Sequence, residues 1–489
     1  MKYCLAFILL IQPFFQANAQ AKKPTQTATK QPVVAGRNIA ITLTPFKNTK
    51  VYLGSYYGKN KVLVDSAVLG PDSKGVFKGN TKLPGGIYFV VSAQYAILFE
   101  LLMDNKQQFS IVADTSNKEN PIITGSPDND LFKNYSAFSI QKGRKMQEAE
   151  RRYHTASSKT DSSAARNEVL QIQKEIKAYQ NNIIKTQPKS LLTTLFKTMR
   201  NPEAPPIPII NGKPDSLYPY RYVKDHYWDE VNFSDDRILR TPFLEPRIDE
   251  FFKNYVSVEA DSIIPEVQFM LLSARTTKEL YPYLLTKFTN KYLNPEYMGQ
   301  DKVFVYLFEN FYLKGDTSFL NAESKRMIIK KGYSMLANQL GQQAPVLNFT
   351  DKEGKLKNLY DVDANFTFVA FWDPHCGHCK EMIPRVDSFY KAKWQKNNVA
   401  IYAVNVDEKI LDDWNKFIQE KNLVNWVHVY QTAAAKAAEE KAGLANFRQL
   451  YDISMTPTFY LLDKQKRIIA KQLTLEQFDD LMERKLKGL

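Results

Sequence analysis

Residues 366–380 read FTFVAFWDPHCGHCK. The apolar run FTFVAFW has no alternation with polar residues, which is the pattern of a strand buried on both faces. It leads directly into Cys376-Gly377-His378-Cys379, and the chain then reads as a helix to about Lys391. A buried strand turning at a cysteine pair into a helix restricts this part of the chain to a sheet with helices packed over it.

The surrounding sequence agrees. VAIYAVNVD is a second strand, DDWNKFIQEKN a helix and WVHVY a short strand. After an alanine-rich stretch, TPTFYLLDKQKRIIAK supplies two strands joined by a polar turn, and LEQFDDLMERKL closes the chain as a helix. Residues 338–489 therefore read as an α/β domain. At 489 residues the chain is too long for one ordinary core, so two to four domains are expected.

Residues 37–127 carry short apolar or alternating runs, among them NIAITLTPF, KVYLGSYYG, GIYFVVSAQ and FSIVAD, punctuated by Gly70-Pro71-Asp72 and Pro84-Gly85-Gly86. They predict a small antiparallel sandwich or barrel. From 128 to 337 the period becomes helical. Val169, Ile172, Ile176, Tyr179 and Ile183 form one apolar stripe, with Asp161 and Ser162 as caps before it. Two heptads do not make a coiled-coil dimer, so the stripe is expected to lie on its own domain's core. Prolines at 202, 205, 206, 208 and 214 break the pattern as a loop. His154 and His226 lie far apart in this region, which carries no catalytic constellation. The fold class is thus multidomain: a C-terminal α/β domain behind a small antiparallel β domain and a mainly α-helical one.

The amino terminus has Lys2, an apolar run from Cys4 to Phe15 and then Ala17-Asn18-Ala19. That is a secretory signal peptide over 1–19 with cleavage after Ala19, followed by a polar, flexible leader over 20–36. Its apolar core is too short to span a bilayer, and Cys4 is misplaced for a lipid anchor. No later run reaches 18 apolar residues, so the mature chain is expected to be exported, soluble and without a transmembrane segment. The net charge is +14, from 66 basic and 52 acidic residues, but the basic residues are scattered. No nucleic-acid module or basic–aromatic groove is present, which leaves a solvated basic surface with weak attraction to acidic partners.

Losing Cys4 with the signal peptide leaves only Cys376 and Cys379. A bridge closing two intervening residues constrains the unfolded chain little, so the pair is there for chemistry. A thiol attacks a disulfide only as its thiolate. At a strand end and helix start, Cys376 meets unpaired N–H groups and partial positive charge that favour the thiolate. Cys379, one turn in, is the sheltered, resolving thiol. When protonated, His378 would stabilise the thiolate, and His375 would act similarly or guide substrate; mere surface placement is the alternative for both. Trp372 and Pro374 shape an apolar rim, or Trp372 simply packs under the loop. A structural zinc site would need a second ligand pair, and His428 is the only other histidine in the domain. Copper held by two thiolates and a histidine stays open as an alternative. No cofactor is expected otherwise.

On these features the last 150 or so residues resemble a thioredoxin fold of the TlpA/ResA-like branch of bacterial envelopes. QQAPVLNFTDKEGKLKNLYDV resembles the family's opening segment, and FVAFWDPHCGHCKEMIP its active-site strand and helix, with Pro384 at the helix-kinking proline. AVNVDE resembles the next strand, and YDISMTPTFYLLD the segment with a cis-proline facing the cysteines. The resemblance implies that Pro457 is that cis-proline and that Met455 and Thr456 present backbone groups to substrate. Gly377, His378 and Lys380 complete the expected tuning or substrate-binding set. The resemblance further implies thiol–disulfide oxidoreduction at a redox-active Cys376–Cys379 disulfide, in the periplasm. The partners would be cysteine-containing envelope proteins, apocytochromes among the candidates, and a membrane redox partner. The alternative function is an envelope ligand-binding or copper-handling protein in which this module serves docking or metal delivery. The first two-thirds resemble, more loosely, accessory domains that precede such modules. Two departures stand out. Ala370 replaces the buried aspartate of thioredoxins, and Met382 stands where many ResA-like proteins carry glutamate, with Glu381 pointing elsewhere. Gly377-His378 is similar to the pair of the more oxidising protein disulfide isomerases.

Overall fold

The computed structural model describes residues 36–115 and 121–488. The signal peptide read at 1–19 and nearly all of the leader at 20–36 lie outside the described residues. The amino-terminal strands are β1 (Arg37–Thr44), β2 (Thr49–Tyr57), β3 (Asn60–Leu69), β4 (Lys74–Gly79), β5 (Gly86–Val91), β6 (Ile97–Met103), β7 (Gln108–Asp114) and β8 (Ile122–Thr124). They form two four-stranded sheets, ordered β4-β1-β7-β8 and β3-β2-β5-β6. Pairing is antiparallel except between β1 and β7, which run parallel. The period of two in β1 turns Ile39, Ile41 and Leu43 inward against Leu53, Tyr88 and Leu101.

Helices α1 (Pro127–Thr155) and α2 (Lys159–Thr186) form an antiparallel hairpin, and α3 (Leu191–Met199) returns to the body. The stripe faces α1 over much of its length, and at its end Ile183 and Tyr179 join the core cluster formed with Leu191, Leu195 and Phe196 of α3 and Ile87 of β5. Tyr179 stacks on Phe138 with ring centroids 4.3 Å apart, and Arg152 reaches Glu168 at 2.5 Å. The cap also sits earlier than expected: Ser158 accepts the Asp161 N–H at 3.1 Å, which places Asp161 in the first turn. The proline-rich loop contains a two-residue hairpin of β9 (Ile209–Ile210) and β10 (Lys213–Pro214).

Helices α4 (Tyr218–Asp225), α5 (Leu244–Asn254), α6 (Ala260–Ser273), α7 (Leu280–Leu293), α8 (Asp301–Leu307) and α9 (Ala322–Leu336) enclose an apolar core that includes Phe251, Met270, Phe288 and Phe304. A π-helical turn, Phe308–Tyr312, extends α8. The β domain is tied to these helices through polar contacts. The Gly58 N–H donates to the Leu239 carbonyl at 2.9 Å, the Lys59 N–H to Glu245 at 2.6 Å, and Arg237 reaches Asp104 at 2.8 Å.

The last unit contains β11 (Asn348–Thr350), β12 (Leu356–Asn358), β13 (Phe366–Trp372), α10 (Gly377–Phe389), β14 (Val399–Asn405), α11 (Leu411–Glu420), β15 (Val427–Tyr430), α12 (Ala433–Lys441), α13 (Phe447–Leu450), β16 (Thr458–Leu462), β17 (Ile468–Lys471) and α14 (Leu475–Leu486). Its sheet runs β12-β11-β15-β14-β13-β16-β17. The pairs β13–β14 and β14–β15 are parallel, whereas β16 and β17 continue the sheet antiparallel. Every residue of β13 is buried. Phe368, Ala370 and Trp372 enter one core and Val369 and Phe371 the other, as a central strand covered on both faces requires. Burial of each large side chain contributes roughly 1.5–3 kcal/mol. This is the thioredoxin arrangement, with the cysteine pair at the carboxyl end of the central strand.

A buried polar knot joins this unit to the helices before it. Lys471 donates to Asp301 at 2.6 Å, to the Asn338 carbonyl at 2.8 Å and to the Asn338 side chain at 2.7 Å. Beside it, Lys331 on α9 pairs with Asp452 at 2.6 Å.

Candidate active site

Cys376 is the N-cap residue of α10, in extended conformation at φ −70° and ψ 125°. Its N–H donates to the Asp373 carbonyl at 3.2 Å, and its carbonyl accepts the Lys380 N–H at 3.1 Å. The turn is further set by Asp373, whose carboxylate accepts the His375 N–H at 2.7 Å. Such an Asx turn is a routine means of leaving a strand. Across the site the Thr456–Pro457 peptide is cis, and the Cys376 thiol lies 3.2 Å from the Thr456 carbonyl.

The two thiols sit in opposite environments; both are reduced here. Partial burial pushes the Cys376 thiol up, but hydrogen bonds from the Thr456 side chain and from the N–H groups of Cys379 and His378 outweigh it. The net direction is below the ordinary thiol value. The contact with the Thr456 carbonyl works the other way, since only a protonated thiol can donate to it. Donors at the helix start are more numerous, and the lowered direction is the one the geometry supports. Cys379 is 0% exposed, and burial pushes its thiol up to about 12.

Trp372 is fully buried and packs on Phe417 of α11 at 5.3 Å, so it supports the loop from beneath instead of forming a rim. Pro374 is buried, whereas His375, Gly377, His378 and Lys380 are exposed. His378 acts on the Cys376 thiol through its backbone N–H, whereas the Lys380 N–H donates to the Cys376 carbonyl. Met455 is 73% exposed beside the cis peptide, and Thr458 donates to its carbonyl at 2.7 Å. Ala370 and Met382 bring no acid toward Cys379. Among the described residues, no group of three or more His, Cys, Asp or Glu could hold a metal ion.

The sequence reading missed the Thr456 hydroxyl as a thiol partner, the Asp373 turn, and Asp413. The turn had a visible signal in Asp373-Pro374. Asp413, in the first turn of α11, meets His375 Nε2 at 2.8 Å from 38 residues away, and no local pattern announces it.

The AhpC/TSA family matches residues 340–471. Two families described only as domains of unknown function, DUF4369 and DUF5106, match residues 38–132 and 157–327. Over 151 residues the chain is 29% identical to the thiol-disulfide oxidoreductase ResA of Bacillus thuringiensis, covering 31% of this chain and 79% of that one. ResA of Bacillus subtilis is 28% identical over 129 residues, covering 26% and 64%. Among solved structures, a domain of a possible thiol-disulfide isomerase from Cytophaga hutchinsonii is 36% identical, covering 30% of this chain and 94% of that one with a TM-score of 0.27. Among the described residues, no helix is long and apolar enough to cross a membrane. The chain is a thioredoxin-fold thiol–disulfide oxidoreductase of the TlpA/ResA-like kind, with β-rich and helical domains added ahead of that fold.

Proposed function

We propose that the Cys376-Gly377-His378-Cys379 segment is the redox centre and that the chain works outside the cytoplasm on protein cysteines. The observation that carries this reading is the asymmetry of the thiols. Cys376 is partly exposed with its thiol value lowered, and Cys379 is buried with its value raised. In reduction of a substrate disulfide, the Cys376 thiolate attacks one sulfur and the other leaves with the bonding electron pair. Cys379 then attacks Cys376 and gives its proton to the second departing sulfur, which leaves an intramolecular disulfide. The reverse sequence oxidises a dithiol. Met455, Thr456 and Pro457 line the opposite wall, where an extended substrate segment would lie.

The substrates in this reading are cysteine-containing envelope proteins, with a membrane redox partner restoring the pair. The signal peptide and periplasmic location belong to the same proposal, as does division of the chain at 37–127, 128–337 and 338–489. The test is Cys376→Ser: it should abolish both insulin reduction and dithiol oxidation, and full retention of either would refute the assignment. The reduction potential then fixes direction. A value near or above about −200 mV means an oxidase or isomerase, and one near or below about −250 mV a reductase.

A further inference from the structure

Next to the nucleophile stands a second pair of groups that the exchange just described leaves unused. His375 immediately precedes Cys376 and is held at two points. Its backbone N–H is fixed by the Asp373 carboxylate at 2.7 Å, and its ring Nε2 meets the Asp413 carboxylate at 2.8 Å. Asp413 is placed by α11, whose Trp414 is fully buried and whose Phe417 packs on Trp372 under the same loop. The ring is thus oriented from a rigid helix while its side chain stays about half exposed at the surface a substrate must approach. A carboxylate on Nε2 orients the ring and leaves Nδ1 for proton transfer. The groups in contact with His375 are the carboxylates of Asp373 and Asp413; Asp412 on α11 and exposed His378 and Lys380 on α10 are the other titratable residues at the starts of the helices that meet here. The cis-proline segment Met455-Thr456-Pro457 brings no charge.

We propose that His375 is the acid that protonates the departing sulfur of the substrate, with Asp413 as its positioning residue. This rests on Cys376 being the nucleophile. In the first step the Cys376 thiolate forms a bond to one substrate sulfur, the substrate S–S bond breaks, and the second sulfur leaves with the electron pair. That sulfur takes the proton from the His375 imidazolium and departs as a thiol, and the imidazole is left neutral. Closure by Cys379 then proceeds as described above, with its own proton going to the remaining substrate sulfur. The substrate class follows: disulfides between ordinary, poorly acidic thiols, whose thiolates are poor leaving groups. Surface pairs of this exposure contribute little to stability. The arrangement serves orientation, and replacing either residue should leave the fold intact.

The test separates leaving groups. Full-length reduced protein is mixed in single turnover with glutathione disulfide, whose leaving thiol is weakly acidic, and with dithiobis-nitrobenzoate, whose leaving thiol is strongly acidic and needs no proton. His375→Gln should slow reduction of glutathione disulfide by about 10²-fold, the lower end of general acid catalysis. Its rate with dithiobis-nitrobenzoate should stay within roughly threefold, since that step gains nothing from the acid. Asp413→Asn should show the same selectivity with a smaller loss. Equal slowing of both disulfides would overturn the proposal in favour of a purely structural clasp, and unchanged rates with both would overturn it outright. Failure of the wild-type protein to reduce either disulfide, or activity surviving Cys376→Ser, would instead strike the underlying assignment of the nucleophile.

Discussion

The α1–α2 hairpin and the thioredoxin unit are built from equally clear helical patterns but held by different means. Along its 29 residues α1 buries only Asn129 and Ala149, and α2 buries Ala165, Ile172 and Ile183. The 13-residue α10 buries Cys379, Ile383, Val386 and Asp387 against a sheet that is itself covered on its other face. Beyond its base, where Ile183 meets α3, the hairpin has one seam, supplemented by surface pairs such as Lys142–Glu175 and Arg152–Glu168. Periodicity reports that a helix has an apolar side, but says nothing about how much structure waits there. Fixed chemistry sits on the unit with many supports, where a misplacement of the thiols is hardest.

That contrast can be broken most forcefully at the knot behind the thioredoxin unit. Asp301→Ala leaves the Lys471 ammonium buried without its carboxylate and should cost about 4 kcal/mol in denaturant unfolding. A cost below about 1 kcal/mol would mean that the Asn338 contacts suffice to hold the Lys471 ammonium. The next largest effect should come from Ile383→Ala under α10, about 3 kcal/mol of global stability. Ile172→Ala in the hairpin should cost about half as much, because a single helix can close on the void. Hydrogen exchange should show that second loss confined to α1 and α2; equal global losses would erase the distinction.

Acid gives a third comparison. Buried His428 donates its Nε2–H to the Leu423 carbonyl at 2.7 Å, and burial lowers its value from 6.5 to about 4. A depressed value means that the neutral ring supports the fold above about pH 6.5 and that this support is lost as pH falls toward 4. Between pH 7 and pH 5 the loss should be about 2 kcal/mol. His428→Gln should flatten that part of the stability profile, and an unchanged profile would place the acid sensitivity elsewhere. The smallest effect belongs to the hairpin surface: Arg152→Ala should change stability by less than about 0.5 kcal/mol.

What the sequence disclosed followed the range of its signals. FTFVAFW and Cys376-Gly377-His378-Cys379 are contiguous, so the central strand, the helix start and the unequal shelter of the two sulfurs could all be read locally. Pro457 was reached only through resemblance, because nothing in a single X-Pro pair fixes its isomer. The partner of the Val169–Ile183 stripe, the parallel pairing of β1 with β7, and the meeting of His375 with Asp413 all join distant segments. Each depends on packing between elements, which periodicity does not encode. Trp372 shows a milder form of this: its place beside the cysteines was visible, but only burial beneath Phe417 decided between rim and support.

The raised value of the Cys379 thiol has a kinetic meaning. In the proposed exchange, a buried Cys379 thiol that holds its proton would be a slow exit from the mixed disulfide. On that reading the buried sulfur would work as a timer, holding a captured polypeptide long enough to be positioned before release and to be identified after rapid acid quenching.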